Sequence, residues 1–168
     1  MKDIKDYLLD GKVKSAKALC GKFDSPIARM IETGIARIGK PLSDVQTAVD
    51  NVGNAEIARL ENGLPYLATI AGGAPMLGFL GTVTGMIKAF FNMANAGNNI
   101  DISLLSGGIY EAMITTVGGL IVGLIAYFAY NFLTAKVSNV VFKMENATID
   151  FMDLLSETSG EQTETANE

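Results

Sequence analysis

Apolar and polar positions are distributed very unevenly along this chain. Residues 1–62 mix the two at short intervals and hold ten basic and nine acidic side chains. Gly63 to Ile87 then gives 25 consecutive residues without a charge. Lys88 interrupts, and Ala89 to Ile100 is again uncharged. Beyond Asp101 only Glu111 breaks the pattern before Ala112 to Ala135, another 24 uncharged residues; charge resumes at Lys136. An α-helix needs about 20 apolar residues to cross a hydrocarbon layer of roughly 30 Å. Two runs qualify, at about 64–91 and 104–134. The soluble alternative is a pair of long core helices, but the remaining chain is too polar to wrap both on every face. The stretch Asn92–Asp101 is short, polar and glycine-containing. The expectation is an all-α membrane protein in which two transmembrane helices form an antiparallel hairpin, closed by a periplasmic loop at about 92–103.

Basic residues near the ends of spans set orientation. The expected loop has no Lys or Arg, whereas the N-terminal region, Lys136 and Lys143 carry positive charge on the other side. Both ends of the chain are therefore expected in the cytoplasm. Lys88 opposes the rule in part, and its long stem allows the ammonium to snorkel to the headgroups.

The first third reads as a cytoplasmic region, 1–62, of short amphipathic helices. Met1–Ile4 does not open a signal peptide, which needs an apolar core of about 7–15 residues. One helix is expected over 3–20. Ser25–Pro26 forms a cap and first-turn pair, after which Ile27, Met30, Ile31, Ile35 and Ile38 fall at helical spacing. Gly39–Lys40–Pro41 ends that helix. Ser43 and Gln46 form a capping-box pattern for a third helix towards Leu60. Residues 136–155 read as a cytoplasmic extension of the second span. From Ser156 onward four glutamates, no base and no large apolar residue predict a disordered acidic tail, 156–168.

Composition removes several function classes. The 168 residues contain no histidine, which excludes His-based triads, His-ligated zinc and imidazole relays within the chain. The single Cys20 excludes intramolecular disulfides and cysteine metal clusters. A net charge of -5 with 13 Lys plus Arg argues against nucleic acid as a partner. Gly78-Phe-Leu-Gly-Thr-Val has the look of a phosphate loop but lacks the lysine and the preceding strand. With no nucleophile–base pair, metal cluster or phosphate loop, an enzyme is not expected, nor any cofactor or metal.

What chemistry remains lies in the spans. Pro75, Gly78, Thr82, Gly85 and Ala89 follow at spacings of three and four, so they share a helix stripe. Gly81 and Gly85 make one GxxxG pair, Gly119 and Gly123 another. In lipid, such small residues let backbones approach closely. The stripe is thus a packing face, with a pore lining around Thr82 as the sharper alternative. Glu111 fits packing least well. A carboxylate at membrane depth costs about 2.5–3.5 kcal/mol on insertion scales. Glu111 is therefore solvated near the outer interface, buried as a structural carboxyl, or part of a polar path with Thr115 and Thr116 beside it. Neither span has Asp, Lys or Arg at mid-depth, so a proton path would take its main titrating group from another chain.

Leu67-Ala-Thr-Ile-Ala-Gly-Gly-Ala-Pro-Met-Leu-Gly-Phe-Leu-Gly-Thr-Val-Thr-Gly-Met-Ile-Lys-Ala-Phe90 resembles the hallmark helix of the ExbB/TolQ/MotA proton-channel family. Gly108-Ile-Tyr-Glu-Ala-Met-Ile-Thr-Thr-Val-Gly-Gly-Leu120, followed by Tyr130–Asn131, is similar to its next helix. Ser25–Pro26 and Leu60-Glu-Asn-Gly-Leu-Pro-Tyr-Leu67 resemble its cytoplasmic part. The resemblance covers roughly residues 5–150 and is strongest to ExbB, then TolQ. It implies a homo-oligomer, a pentamer, in the bacterial cytoplasmic (inner) membrane. It also implies an ExbD/TolR-like dimer of single-span chains inside the pore, which brings the key aspartate. By motif position, Thr82 and Thr116 would face that aspartate and Glu111 would be the acid of the last helix. Thr115 is the weaker match. A ring of neutral hydroxyls solvates a carboxyl in either protonation state, where an apolar wall would hold it neutral.

The function so implied is a stator subunit that converts the proton motive force into work through a TonB-like protein, energising outer-membrane transport. A TolQ-like role with a TolA-like partner in envelope maintenance, or a gliding-type motor, is the alternative within the family. A non-conducting membrane scaffold is the alternative outside it. The resemblance also implies a transmembrane helix ahead of the cytoplasmic region, and this chain is expected to lack it.

Overall fold

The computed structural model describes residues 7, 12–96 and 102–164. Among them all regular structure is helical: α1 (Val13–Cys20), α2 (Pro26–Ile35), α3 (Leu42–Glu61), α4 (Leu64–Asn95) and α5 (Ile102–Glu164). The chain divides into two compact units, one of residues 1–61 with 136–168, the other of 62–135.

In the first unit local sequence sets each boundary. Ser25 caps α2: its Oγ accepts from the Ala28 N–H at 3.2 Å, and Pro26 occupies the first turn. Met30, Ile31 and Ile35 are buried as their spacing predicts, and Ile27 is half-buried. Ile38 lies past the end of α2 and is exposed. Gly39 turns the chain at φ +95°, a conformation that a side chain strains against. One expectation fails here. The helix begins at Leu42, with the Asp44 and Val45 amides donating to the Pro41 carbonyl at 2.9 and 3.3 Å. Pro41 thus takes the capping place, and Ser43, already inside the first turn, forms no capping box with Gln46.

The helix expected over 3–20 is described as α1 from Val13; residues 1–6 and 8–11 lie outside the described residues. The core joins Ala16 and Cys20 of α1 to Met30, Ile31 and Ile35 of α2 and Val45 and Val49 of α3. Met144, Phe151, Leu154 and Leu155 of α5 complete it. The stretch after the second span is therefore an integral wall of this unit. Gly34 makes room for it: a Cβ there would strike the Phe151 ring and stand 3.0 Å from Val49 Cγ2. Of the tail expected to be disordered, 156–168, the part to Glu164 is described as helix. With Leu154 and Leu155 buried and Ser156 Oγ donating to the Asp153 carbonyl, α5 continues to Glu164. Residues 165–168 lie outside the described residues.

The same unit contains an ion network. Buried Glu56 receives Arg29 Nη2 at 2.5 Å and Arg59 Nη1 at 2.9 Å, and Arg29 also pairs with Asp24. Hydrogen bonding from Arg29, ahead of the charges of Arg29 and Arg59, holds the Glu56 carboxyl below the usual carboxylate range. Burial pushes the Cys20 thiol up, with Glu32 adding to the shift, so it stays protonated and inert.

The second unit is the pair α4 with the first half of α5. Stretches within Leu42–Asn95 and Leu105–Glu157 reach mean hydropathies of 1.4 and 2.0 over 18 residues, yet only 6% and 17% of those windows is buried. Phe79 and Phe91 are each 66% exposed, Ile125 65% and Phe128 64%. A soluble core helix would hide such side chains, so these helices are built for lipid. Of the stretch expected as a loop, 92–103, residues 92–95 and 102–103 are helical. Asn95 Nδ2 donates back to the Phe91 carbonyl at 3.0 Å, Ser106 Oγ to that of Ile102 at 2.8 Å, and both helices extend accordingly. Residues 97–101 lie outside the described residues.

Candidate functional site: a hydroxyl pair in a small-residue zipper

The stripe read from sequence becomes a contact seam between α4 and α5. A Cβ added at Gly123 would stand 2.6 Å from Pro75 Cγ, and one at Gly119 would stand 2.5 Å from the Ala74 carbonyl oxygen. A Cβ at Gly78 would meet the Thr115 carbonyl oxygen at 2.9 Å, and one at Gly85 the Ala112 Cβ at 2.7 Å. At Gly81 it would strike the Thr115 side chain, and at Gly108 it would meet the Ala89 Cβ at 2.8 Å. As the α4 number rises the α5 number falls, which is an antiparallel register. All six expected packing residues, Pro75, Gly78, Gly81, Gly85, Gly119 and Gly123, sit in this seam. Sequence reading missed Ala74, Gly108 and Ala112, although Ala112 is 2% exposed. Their small size was the available signal.

Pro75 adds a backbone effect. Lacking an N–H, it leaves the Ala71 carbonyl without its usual helical donor. That oxygen lies beside Gly123, where an added Cβ would meet it at 3.2 Å.

Halfway along the seam lie Thr82 and Thr116, both half-buried, with their hydroxyls in hydrogen-bond contact. The Thr82 Oγ1 is also 3.1 Å from the Ala112 carbonyl oxygen. The Thr116 Oγ1 is 3.2 Å from that of Gly78. Both carbonyls are reachable because glycine and alanine bring the backbones together. Each hydroxyl has one proton and accepts as well as donates. The pair therefore has two complete arrangements: Thr82 to Thr116 to the Gly78 carbonyl, or Thr116 to Thr82 to the Ala112 carbonyl.

Thr115 borders the pair, and Glu111 lies outside it. The Thr115 Oγ1 donates to the Ala112 carbonyl at 2.6 Å and stands 3.4 Å from the Gly78 carbonyl oxygen across the seam, so Thr115 sits at the seam's edge. It lines a groove of about 570 Å³ together with Glu111, Lys88, Thr84, Asn92 and Ser103. Glu111 is exposed there and has no hydrogen-bond or ion-pair partner among the described residues. Thus Thr82 and Thr116 come together, while Thr115 and Glu111 share an adjoining groove. Lys88 and Thr84 were not singled out as site residues, because spacing along α4 alone does not show that they face Glu111. Among the described residues no cluster of His, Cys, Asp or Glu could hold a metal.

Known proteins give the seam its context. The chain is 32% identical over 125 residues to an ExbB homologue of Methanothermobacter thermautotrophicus, a biopolymer transport protein. That match covers 74% of this chain and 44% of the relative. It is 36% identical over 102 residues to the Tol-Pal system protein TolQ of Haemophilus influenzae, covering 61% of this chain and 44% of TolQ. To the biopolymer transport protein ExbB of Xanthomonas campestris it is 33% identical over 112 residues, or 67% of this chain and 44% of that one. The chain therefore spans less than half the length of these relatives. A family model also matches residues 22–146, from α2 through both membrane-type helices and into the first unit's wall, and the chain belongs to the MotA/TolQ/ExbB proton channel family.

Proposed function

We propose that this chain is a proton-channel stator subunit of the cytoplasmic membrane, with both termini in the cytoplasm. It assembles as a homo-oligomeric ring, a pentamer, around an ExbD/TolR-like pair of single-span helices. Through a TonB-like protein it energises outer-membrane transport. The hydroxyl pair of Thr82 and Thr116 is the observation that carries this reading. It is a polar element inside a seam of small residues, and its two proton arrangements interchange by rotation of the two hydroxyls alone. A protonated carboxyl on a partner helix beside it finds a free hydroxyl lone pair to donate to, and an ionised one draws the proton of whichever hydroxyl rotates off its backbone carbonyl. Neither protonation state is trapped, so a proton can be taken up and released.

Glu111 and Thr115 line the adjoining groove and supply polar contacts on the way to the pair. The energy available is about 2.3 kcal/mol per charge per 100 mV of membrane potential. A few protons then suffice for one conformational step of the ring against its central helices. The match to TolQ supports a second reading of the output, through a TolA-like protein to envelope maintenance.

The test co-expresses the chain with its partner and measures proton flux into vesicles, then energised uptake in cells. Thr82→Ala and Thr116→Ala are expected to assemble normally and lose both. Full flux and uptake in the double variant, at normal expression, would overturn the reading. Wild-type flux with the partner present that does not exceed that of Glu111→Ala or of empty vesicles would favour a scaffold that holds helices without conducting.

A further inference from the structure

In the first unit a groove of about 520 Å³ opens between α3 and the later part of α5, with Met30 of α2 at its base. Met144 and Ile57 line its apolar floor, and Asp50 of α3 and Glu145 of α5 stand exposed at its edges. No Lys or Arg lines it, and no residue of α1 does. Neither carboxylate has an ion-pair partner among the described residues.

The opposite charge is found on α1. Ala16 and Cys20 bury that helix against its own core, which leaves Lys14, Lys17 and Ala18 exposed. Lys14 and Lys17 are neighbours on the helix surface, three residues apart, and Ala18 beside them leaves room for close approach. Neither lysine is paired with a carboxylate among the described residues. One unit therefore carries two different unpaired faces, one basic and one acidic with an apolar floor.

A closed ring of identical subunits needs such a pair. Each subunit must present one surface to the neighbour on one side and a different, complementary surface to the other. We infer that the Lys14–Lys17 face of α1 docks into the Asp50–Glu145 groove of the next copy of this chain. Resting on the ring assembly proposed above, the inference assigns that ring its cytoplasmic contact. The lysines meet the two carboxylates at the rim, and Ala18 approaches the apolar floor. The contact is electrostatic at its edge, so it weakens as salt rises.

The experiment weighs the full chain by native mass spectrometry from lipid nanodiscs and follows dissociation on dilution and with salt. Lys14→Glu/Lys17→Glu and Asp50→Lys/Glu145→Lys should each raise the concentration for half-dissociation about tenfold or more. Combining all four changes should restore the wild-type value, which loss of folding could not do. The milder Asp50→Asn/Glu145→Gln should weaken assembly in the same direction while conserving volume. Unchanged mass and salt dependence in the reversals overturns this contact and leaves the ring standing. The contact is overturned equally if both reversals dissociate the complex and the combination fails to restore it, as a basic segment of another protein in the groove would cause. A wild type that stays monomeric overturns both the contact and the ring.

Discussion

Thr82 and Thr116 place their hydroxyls in contact across two antiparallel helices, and each also has a carbonyl of the opposite helix within reach. The arrangement depends on what is missing around it. Gly78 and Ala112 have so little side chain that their carbonyls approach the other helix, and those carbonyls are the two ends of the hydroxyl chain. Side-chain chemistry and backbone packing are one feature here: widening the seam would break the chain of hydrogen bonds.

If reversible donation by the pair matters, shape and hydroxyl can be separated. Thr82→Ser keeps the hydroxyl and should retain proton flux. Thr82→Val and Thr116→Val keep the volume and should lower flux about a hundredfold, the order expected for losing a positioned proton-transfer group. Vesicle flux measured at matched protein levels checks this. Retained flux in the Val variants with a loss in Thr82→Ser would mean that packing alone is at stake.

The seam itself predicts an asymmetry between adjacent glycines. A Cβ at Gly119 meets backbone atoms, the Ala74 carbonyl oxygen at 2.5 Å and Gly78 Cα at 2.9 Å, and these cannot rotate away. At Gly118 a Cβ meets nothing within 4 Å. Gly119→Ala should cost about 1–3 kcal/mol by forcing the helices apart. Gly118→Ala should leave the hairpin intact. Thermal unfolding of the detergent-solubilised variants reads the difference.

Much of this was legible in advance, for physical reasons. Charge-free runs of span length and a three-four stripe are properties of one helix at a time, so they survive in sequence. Ser25–Pro26 is similarly local, and it caps α2 as read. What escaped needed two segments at once. The capping box at Ser43 was pre-empted by Pro41, one residue outside the pattern. Leu154 and Leu155 drew α5 onward because they pack on α1–α3, and nothing in the acidic tail announces that. Arg29 and Arg59, 30 residues apart, converge on Glu56, and in sequence all three look like solvated charges. Glu111 and Lys88 share a groove only because the helix register brings them there.

Gly34 yields a stability prediction in the first unit. A Cβ at this position would run into Phe151, one of the largest fully buried side chains, and Val49 closes the other side. Gly34→Ala gains helix propensity of about 1 kcal/mol. Overpacking a closed core costs about 1–3 kcal/mol, and the neighbours here have no room to yield, so the loss should win. A lower melting temperature is expected, partly recovered by Phe151→Leu in the same chain. A rise in melting temperature for Gly34→Ala would show that the ring can swing aside.

Glu56 makes the first unit's stability depend on acid. Its carboxyl is held below its ordinary value, chiefly by the hydrogen bond from Arg29. A group whose folded value is depressed stabilises fully above its unfolded pKa, about 4.3 for glutamate, and loses that contribution as pH falls through the folded value. At neutral pH, Glu56→Gln should therefore melt several degrees below wild type, since it leaves Arg29 and Arg59 without their shared partner. As pH falls past the unfolded value and on through the depressed folded one, the wild-type carboxyl takes up a proton and the two melting curves should converge. A gap constant down to strong acid would mean that Glu56 contributes through packing rather than charge. Arg59→Gln, which removes the more exposed of the two partners, should show the same convergence with a smaller gap.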